Sequence, residues 1–521
     1  MSIFMEEMTW REIQSALETG GDSVLIPLGA IEQHGPHLPI FTDTWLGYAL
    51  CGPVASKVGR MLVAPPVYPG RSEHHMAFPG TITVSHETFK AVVKDYCRSL
   101  ARHGFKHLVL LATHGGNFKA MHEVLPEIQA ELADVDVFGI VSQQTSGVSQ
   151  QANRTLGLDP AKCGQHAGLT EASMLLATRP ELVHMEYAVE GWMGSYGPDF
   201  SENLQKHGMK AFSEFGILGD PREATAETGV DIIEERSKGF AEIIRTHLET
   251  LDEPVGSGFV PVGIHRLDSS LLLEERTSRE IGEAIADGWD TLLVMLGAIE
   301  QHGPHLPLGT DTMLGYERGV RLAKKLGKTL VAPVIRPGLS EHHMHFPGTI
   351  TLQHDTFINV VLEFCTSVAS HGFRNLILIP THGGNYAATE EVYPQIQAAL
   401  PGVNVVLLSR ADSRMAHAQI QPKLGLDPAI MGVHAGLGET SYMLTFRPEL
   451  VHMDRTEAGW VGNYDEQAAA LMAKEGMQAL SPIGVLGDPR GSSVELGNAY
   501  LDAWTDIYAQ VITERLSGKS G

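Results

Sequence analysis

LGAIEQHGPHLPIFTD, residues 28–43, gathers three metal-ligand residue types into one short stretch: Glu32, His34 and Asp43. It follows an apolar run, residues 24–28, that reads as a buried strand. Gly35, Pro36 and Pro39 bar a helix between the three, so the spacing predicts a loop folded back on itself. Imidazole nitrogen and carboxylate oxygen are what borderline divalent metals take as ligands. The stretch recurs as LGAIEQHGPHLPLGTD, residues 296–311, with Glu300, His302 and Asp311. The offset is a constant 268 residues, from 32 to 300 and again from 43 to 311. The chain is therefore a tandem duplication, and the duplicated feature is a candidate metal site. The plain alternative is a polar loop whose charges face water. Identity across 28–39 and 296–307, in halves that otherwise diverge, argues against it.

A chain of 521 residues is too long for one ordinary domain. The repeat predicts domains at 1–250 and 269–521, joined by a linker at 251–268 that is rich in Pro and Gly. With 43% hydrophobic and 19% charged residues, each half can bury a core of its own. A net charge of −24 and a pI near 5.4 exclude the basic face that nucleic acid or an anionic membrane would need. The four cysteines, Cys51, Cys97, Cys163 and Cys365, form no CxxC pair, so neither a disulfide framework nor a cysteine zinc site is expected. No secretory leader is read at the start, and no apolar run reaches the roughly 18 residues of a membrane span, which predicts a cytoplasmic protein.

Strand and helix patterns alternate through each half. Residues 22–28, 60–65, 107–112 and 135–141 read as strands, and 46–58, 86–103 and 118–132 as helices. This alternation predicts an α/β fold with a mostly parallel sheet covered on both faces. The candidate ligands directly follow strands, where open α/β sheets place their sites.

Three further sets recur at the same offset. His114 and His382 each follow a strand and precede Gly-Gly-Asn, where glycines allow close backbone approach and Asn117 could cap the next helix. His166 and Glu171 in GQHAGLTEAS match His434 and Glu439 in GVHAGLGETS. An imidazole near a helix start is disfavoured as a cation and suits a proton shuttle. A glutamate in the first helical turn is also what the helix dipole favours. His74, His75, His342 and His343 in the SEHHM loops read as ligands, substrate contacts or plain structure. The GWMGSY and GWVGNY stretches, residues 191–196 and 459–464, read equally as a substrate lid or an oligomer contact.

Together these motifs resemble the creatininase (creatinine amidohydrolase) family. EQHGPHLP with its following TD, the HGGN turn, HAG-x-x-E and the late GDP at 219–221 and 487–489 carry the resemblance over each whole repeat. It implies two tandem three-layer α/β/α domains, a dinuclear metal centre in each and hydrolysis of C–N bonds in small, often cyclic, amides. It implies Glu32, His34, Asp43 and His114 as ligands, with Asp43 bridging, and Glu300, His302, Asp311 and His382 likewise. It implies His166 and His434 as catalytic. Family members with a ligating Glu inside the HGGN-type turn have it where this chain carries Gly116 and Gly384. Glu171 and Glu439 are therefore expected to supply the missing carboxylate. Zinc is the first expectation for the metal, with manganese and iron as alternatives. Creatinine itself is disfavoured, because no tryptophan lies between Trp45 and Trp192 or between Trp289 and Trp460. The expected substrate is a lactam, cyclic urea or formamide, opened by a metal-bridging hydroxide. A cyclic ketone or lactone hydrolase, or a protein with one inactive half, is the alternative. Oligomeric relatives imply a homo-oligomer, a trimer of fused pairs. Finally, Phe41 stands where the second half has Gly309, which predicts a narrowed first pocket and more turnover from the second.

Overall fold

The computed structural model describes residues 2–194, 197, 199–248 and 269–518. The proposed linker at 251–268 lies outside the described residues, as do Ser195 and Tyr196 of the first Gly-Trp stretch.

The first half runs α1 (Trp10–Glu18), β1 (Ser23–Leu28), α2 (Thr42–Val58), β2 (Met61–Val63), α3 (His86–Arg102), β3 (His107–Ala112), α4 (Phe118–Glu131), β4 (Asp136–Ile140), α5 (Ser142–Thr155), α6 (Pro160–Cys163), α7 (Leu169–Thr178), α8 (Phe200–His207) and α9 (Ala226–Leu248). The second repeats it as α10 (Ser278–Ala286), β5 (Thr291–Leu296), α11 (Thr310–Leu326), β6 (Thr329–Val331), α12 (His354–Ser370), β7 (Asn375–Pro380), α13 (Asn385–Ala399), β8 (Asn404–Leu407), α14 (Arg410–Lys423), α15 (Pro428–Met431), α16 (Leu437–Phe446), α17 (Glu466–Glu475) and α18 (Val494–Leu516). Thr9 opens α1 with a capping box, its hydroxyl accepting from Glu12 N while Glu12 reaches back to Thr9 N, and Thr277 repeats this with Glu280.

Each half contains one four-stranded sheet, ordered β2-β1-β3-β4 and β6-β5-β7-β8, with every pairing parallel. Parallel strands need crossover helices, and these cover both faces. That is why all six residues of β1, SVLIPL, are buried. On α3, Phe89, Val92, Val93, Tyr96 and Leu100 form the buried face, each such large side chain contributing about 1.5–3 kcal/mol. Two expected boundaries move. The second strand shrinks to Met61–Val63, and α2 begins at Thr42, so Asp43 lies in a first helical turn and not in a loop. All four cysteines are buried and free. No described helix is long and apolar enough to cross a membrane.

The halves join about a local twofold relation. Ile40 N and Phe41 N donate to the Arg276 and Glu274 carbonyls at 2.9 and 3.2 Å, while Leu308 N and Gly309 N donate to Met8 and Glu6 at 2.9 Å each. His103 donates to the Thr349 carbonyl and His371 to that of Thr81, both at 2.7 Å. At the centre the symmetry breaks. Arg336 donates to the Tyr68 and Tyr48 hydroxyls at 3.0 and 2.7 Å and pairs with Glu6, all of them buried. Breaking a buried pair strands the partner charge and costs about 3–5 kcal/mol. Arg336→Leu should therefore lower unfolding stability by about that amount in denaturant titrations. Arg336→Leu with Glu6→Gln should recover most of it. A single-variant loss under about 1 kcal/mol, the level of an exposed pair, would contradict the account.

Phe41 belongs to this junction. Its ring lies against Trp45 and Tyr68, with centroids 5.8 and 5.1 Å apart. A Cβ added at Gly309 would sit 2.8 Å from the Glu6 carbonyl oxygen. The Phe41/Gly309 difference therefore shapes the contact between halves, and the expected narrowing of the first pocket finds no support.

Candidate metal centre

Strands β1 and β3 end side by side, and the segments leaving them converge. After β1 the chain folds back so that Glu32 N donates to the Ile40 carbonyl at 2.8 Å, placing Glu32, His34 and Asp43 around one point. After β3, His114 enters from the adjacent strand end. Asn117 does not cap α4 with its side chain. It accepts from Arg71 N at 3.0 Å and donates to the Leu28 and Gly29 carbonyls at 3.1 and 2.8 Å, binding both strand ends together. Glu171 comes from the first turn of α7 and accepts from Ala167 N at 2.5 Å.

His114 Nδ1 lies 3.3 Å from Glu32 Oε1 and 3.2 Å from Asp43 Oδ2. His34 Nε2 lies 3.5 Å from Asp43 Oδ1 and 3.8 Å from Glu171 Oε2. His166 Nδ1 lies 3.6 Å from Glu32 Oε1. The far nitrogens decide where the ring hydrogens are. His34 Nδ1 is 3.0 Å from the Glu32 carbonyl oxygen, His114 Nε2 2.9 Å from that of Arg71, and His166 Nε2 2.7 Å from that of Gln33. A carbonyl only accepts, so each far nitrogen donates and each near nitrogen of the neutral ring is a bare lone pair. In the neutral rings, three lone pairs thus face three carboxylates.

Both Glu32 oxygens, His34 Nε2 and Asp43 Oδ2 are buried without hydrogen-bond partners, as are both Glu300 oxygens and Asp311 Oδ2. Buried charge without compensation is costly, and a cation between these atoms removes the cost. The donor set is the N/O set of divalent zinc, manganese or iron, so the residues present fit the implied metal.

With no cation between them, the same carboxylates draw positive charge onto two of these rings. Burial opposes charge on His34, yet Asp43, Glu171 and Glu32 raise it to about 9. Burial likewise opposes charge on His114, which Glu32 and Asp43 nevertheless raise well above the usual range. Burial would raise Asp43, but His34 and His114 hold it well below the carboxylate range. Burial pushes Glu171 up. His166 differs: burial and the neighbouring His34 push it down to about 3, so it is neutral.

The second centre repeats the first. His382 Nδ1 is 3.2 Å from both Glu300 Oε1 and Asp311 Oδ2. His302 Nε2 is 3.6 Å from Asp311 Oδ1 and 3.7 Å from Glu439 Oε2, and His434 Nδ1 is 3.7 Å from Glu300 Oε1. His302 Nδ1, His382 Nε2 and His434 Nε2 again donate to carbonyls, those of Glu300, Leu339 and Gln301. One neighbour differs: His305 lies 2.8 Å from the Thr440 hydroxyl, and the first half has Ala172 at that place.

The histidine-pair loops also reach the centre. His74 stacks on His114, centroids 5.9 Å apart, and His342 on His382 at 5.7 Å. Glu32, His74 and His114 each offer an atom within 4.8 Å of the others, as do Glu32, His34 and His166. At Gly116 an added Cβ would lie 2.2 Å from the Arg71 carbonyl oxygen and 2.4 Å from His114 Nε2, so this position has no room for a side chain. Trp192 packs on Phe200 and Phe212. Sequence reasoning passed over Gln33 and Gln301, whose amides lie against two imidazoles each; their place inside the repeated EQHG was the available signal.

The profile of the family described as "Creatininase: Creatinine amidohydrolase" matches residues 6–244 and again 274–512. A mycofactocin precursor peptide peptidase of Mycobacterium ulcerans is 35% identical over 229 residues, covering 42% of this chain and 84% of that one. The creatinine amidohydrolase of Pseudomonas putida is 30% identical over 258 residues, covering 47% and 96%. The solved structure "Creatininase Mn" aligns with 47% of this chain and 99% of its own at 29% identity and a TM-score of 0.40. With its domain present twice, the chain belongs to the creatininase family of metal-dependent amidohydrolases.

Proposed function

We propose that this protein hydrolyses a C–N bond of a small, cyclic amide or a formamide at two like metal centres, one in each half. The observation that carries the proposal is the set of imidazole nitrogens facing carboxylate oxygens at 3.2–3.8 Å, among which both Glu32 oxygens and Asp43 Oδ2 are buried and unpartnered. Glu32, His34, Asp43, His114 and Glu171 would hold up to two divalent ions, and Glu300, His302, Asp311, His382 and Glu439 two more, zinc before manganese or iron. Such ions, when bound, polarise a carbonyl and lower the pKa of water to about 7.

Hydrolysis adds hydroxyl to the carbonyl carbon and a proton to the departing nitrogen. His166 and His434 are the groups placed to carry that proton. Each ring is neutral, presents a bare Nδ1 to the centre and is held by its Nε2–H on a main-chain carbonyl. The proton therefore arrives at and leaves from Nδ1 without the ring turning. The buried walls keep bulk water from competing for it.

A second reading, in which the amide is a peptide bond, is favoured by the 35% identity with the mycofactocin precursor peptide peptidase. The experiment is a turnover screen of lactams, cyclic ureas, formamides and short peptides with metal-depleted and zinc-, manganese- or iron-reloaded protein. Metal-dependent cleavage of one C–N class is expected. Cleavage of cyclic ketones or lactones alone would overturn the proposal.

A further inference from the structure

Glu32 has a further imidazole neighbour, His75, and its hydrogen is placed the other way round. The side-chain amide of Gln33 is buried and its two ends can be told apart. Its Oε1 accepts from Gly35 N at 2.9 Å, which fixes the opposite end as the nitrogen. That Nε2 donates to the Gly216 carbonyl at 3.2 Å and lies 2.7 Å from His75 Nδ1; it also lies 3.1 Å from His166 Nε2, which already carries a hydrogen directed at the Gln33 carbonyl and so accepts nothing. An amide NH2 only donates, so His75 Nδ1 accepts and the hydrogen of the neutral ring sits on Nε2. His75 Nε2 is the atom facing Glu32 Oε1, at 3.4 Å. His34, His114 and His166 thus meet the carboxylates with lone pairs, and His75 meets Glu32 with an N–H. Gly216 makes the arrangement possible: its φ is +74°, and a Cβ there would lie 2.1 Å from Gln33 Oε1.

The second half repeats the chain of contacts from the amide to the carboxylate. Gly303 N donates to Gln301 Oε1 at 2.9 Å, Gln301 Nε2 lies 2.8 Å from His343 Nδ1, and His343 Nε2 lies 3.4 Å from Glu300 Oε1. Gly484, at φ +78°, would place a Cβ 1.9 Å from Gln301 Oε1.

We infer that Gln33 with His75, and Gln301 with His343, are donor chains that orient Glu32 and Glu300 toward the metal. His75 and His343 are positioning residues and not ligands, although Glu300, His343 and His434 lie at ligand spacing. A ring whose near nitrogen carries hydrogen has no lone pair there to give. The inference rests on the proposed function, which supplies the metal.

The test uses the full chain with Asp311→Asn, so that the first centre is read alone, and zinc as the probe. His75→Leu should keep the zinc stoichiometry at saturation and weaken affinity about ten- to a hundredfold, the usual effect of losing such a partner. His75→Gln restores an N–H near the same place and should recover most of the affinity. Loss of a zinc equivalent in both variants would overturn the inference, and so would unchanged affinity in His75→Leu. A second measurement needs no substitution in the pair: ring 15N shifts of the zinc-loaded chain should report His75 with Nδ1 bare and Nε2 protonated. The reverse tautomer would overturn it. A parent chain that binds no zinc refutes the proposed function itself, and does so before any His75 variant is compared.

Discussion

Asp43→Asn combined with Asp311→Asn should abolish turnover and strip the protein of most of its bound metal. Each aspartate sits between two imidazoles: Asp43 between His34 and His114, Asp311 between His302 and His382. An asparagine keeps the shape but loses the charge and one of the two anionic oxygens. Lewis-acid activation is worth several kcal/mol, and at 1.36 kcal/mol per decade its loss costs at least about 10³-fold in kcat. Either single variant should retain roughly half the turnover and half the metal, because the two centres share no ligand. A double variant that keeps its activity would remove these carboxylates from the chemistry.

His166→Ala with His434→Ala should cost about 10²–10⁴-fold in kcat, the usual contribution of a positioned acid–base group. Metal content should be retained, which separates lost proton transfer from lost metal. The two single variants should be alike, each leaving about half the turnover, since both rings have the same contacts to within 0.1 Å at Glu32 and Glu300. The sequence alone suggests a weaker first half, with Phe41 in its pocket. That ring instead lies in the junction, against Trp45 and Tyr68. A strongly unequal pair of single variants would restore the asymmetric reading. Metal loss in the double variant would make His166 and His434 ligands.

The duplication, the parallel α/β sheets and the convergence of Glu32, His34, Asp43 and His114 are all legible in the sequence. Runs such as 24–28 and 108–112 are buried on both faces and therefore apolar throughout, the clearest signal a parallel strand gives. The start of α2 is not legible. Thr42 and Asp43 look like loop residues, and only the folded-back chain at Phe41 shows where the helix begins. α5, SQQTSGVSQQANRT, has almost no apolar face to read and takes its place from packing against α9. Gln33 escapes notice because an amide is not a ligand type; its importance lies in which hydrogens it fixes. The pairing of Glu6 with Arg336 spans 330 positions and breaks the repeat symmetry, so no local pattern announces it.

The most direct measurement is the metal-to-chain ratio of the purified protein after reloading and removal of unbound ions, by elemental analysis. Two like dinuclear centres predict four divalent ions per chain, falling to two in Asp311→Asn. A ratio near zero, in protein whose turnover is untouched by strong chelators, would contradict the account.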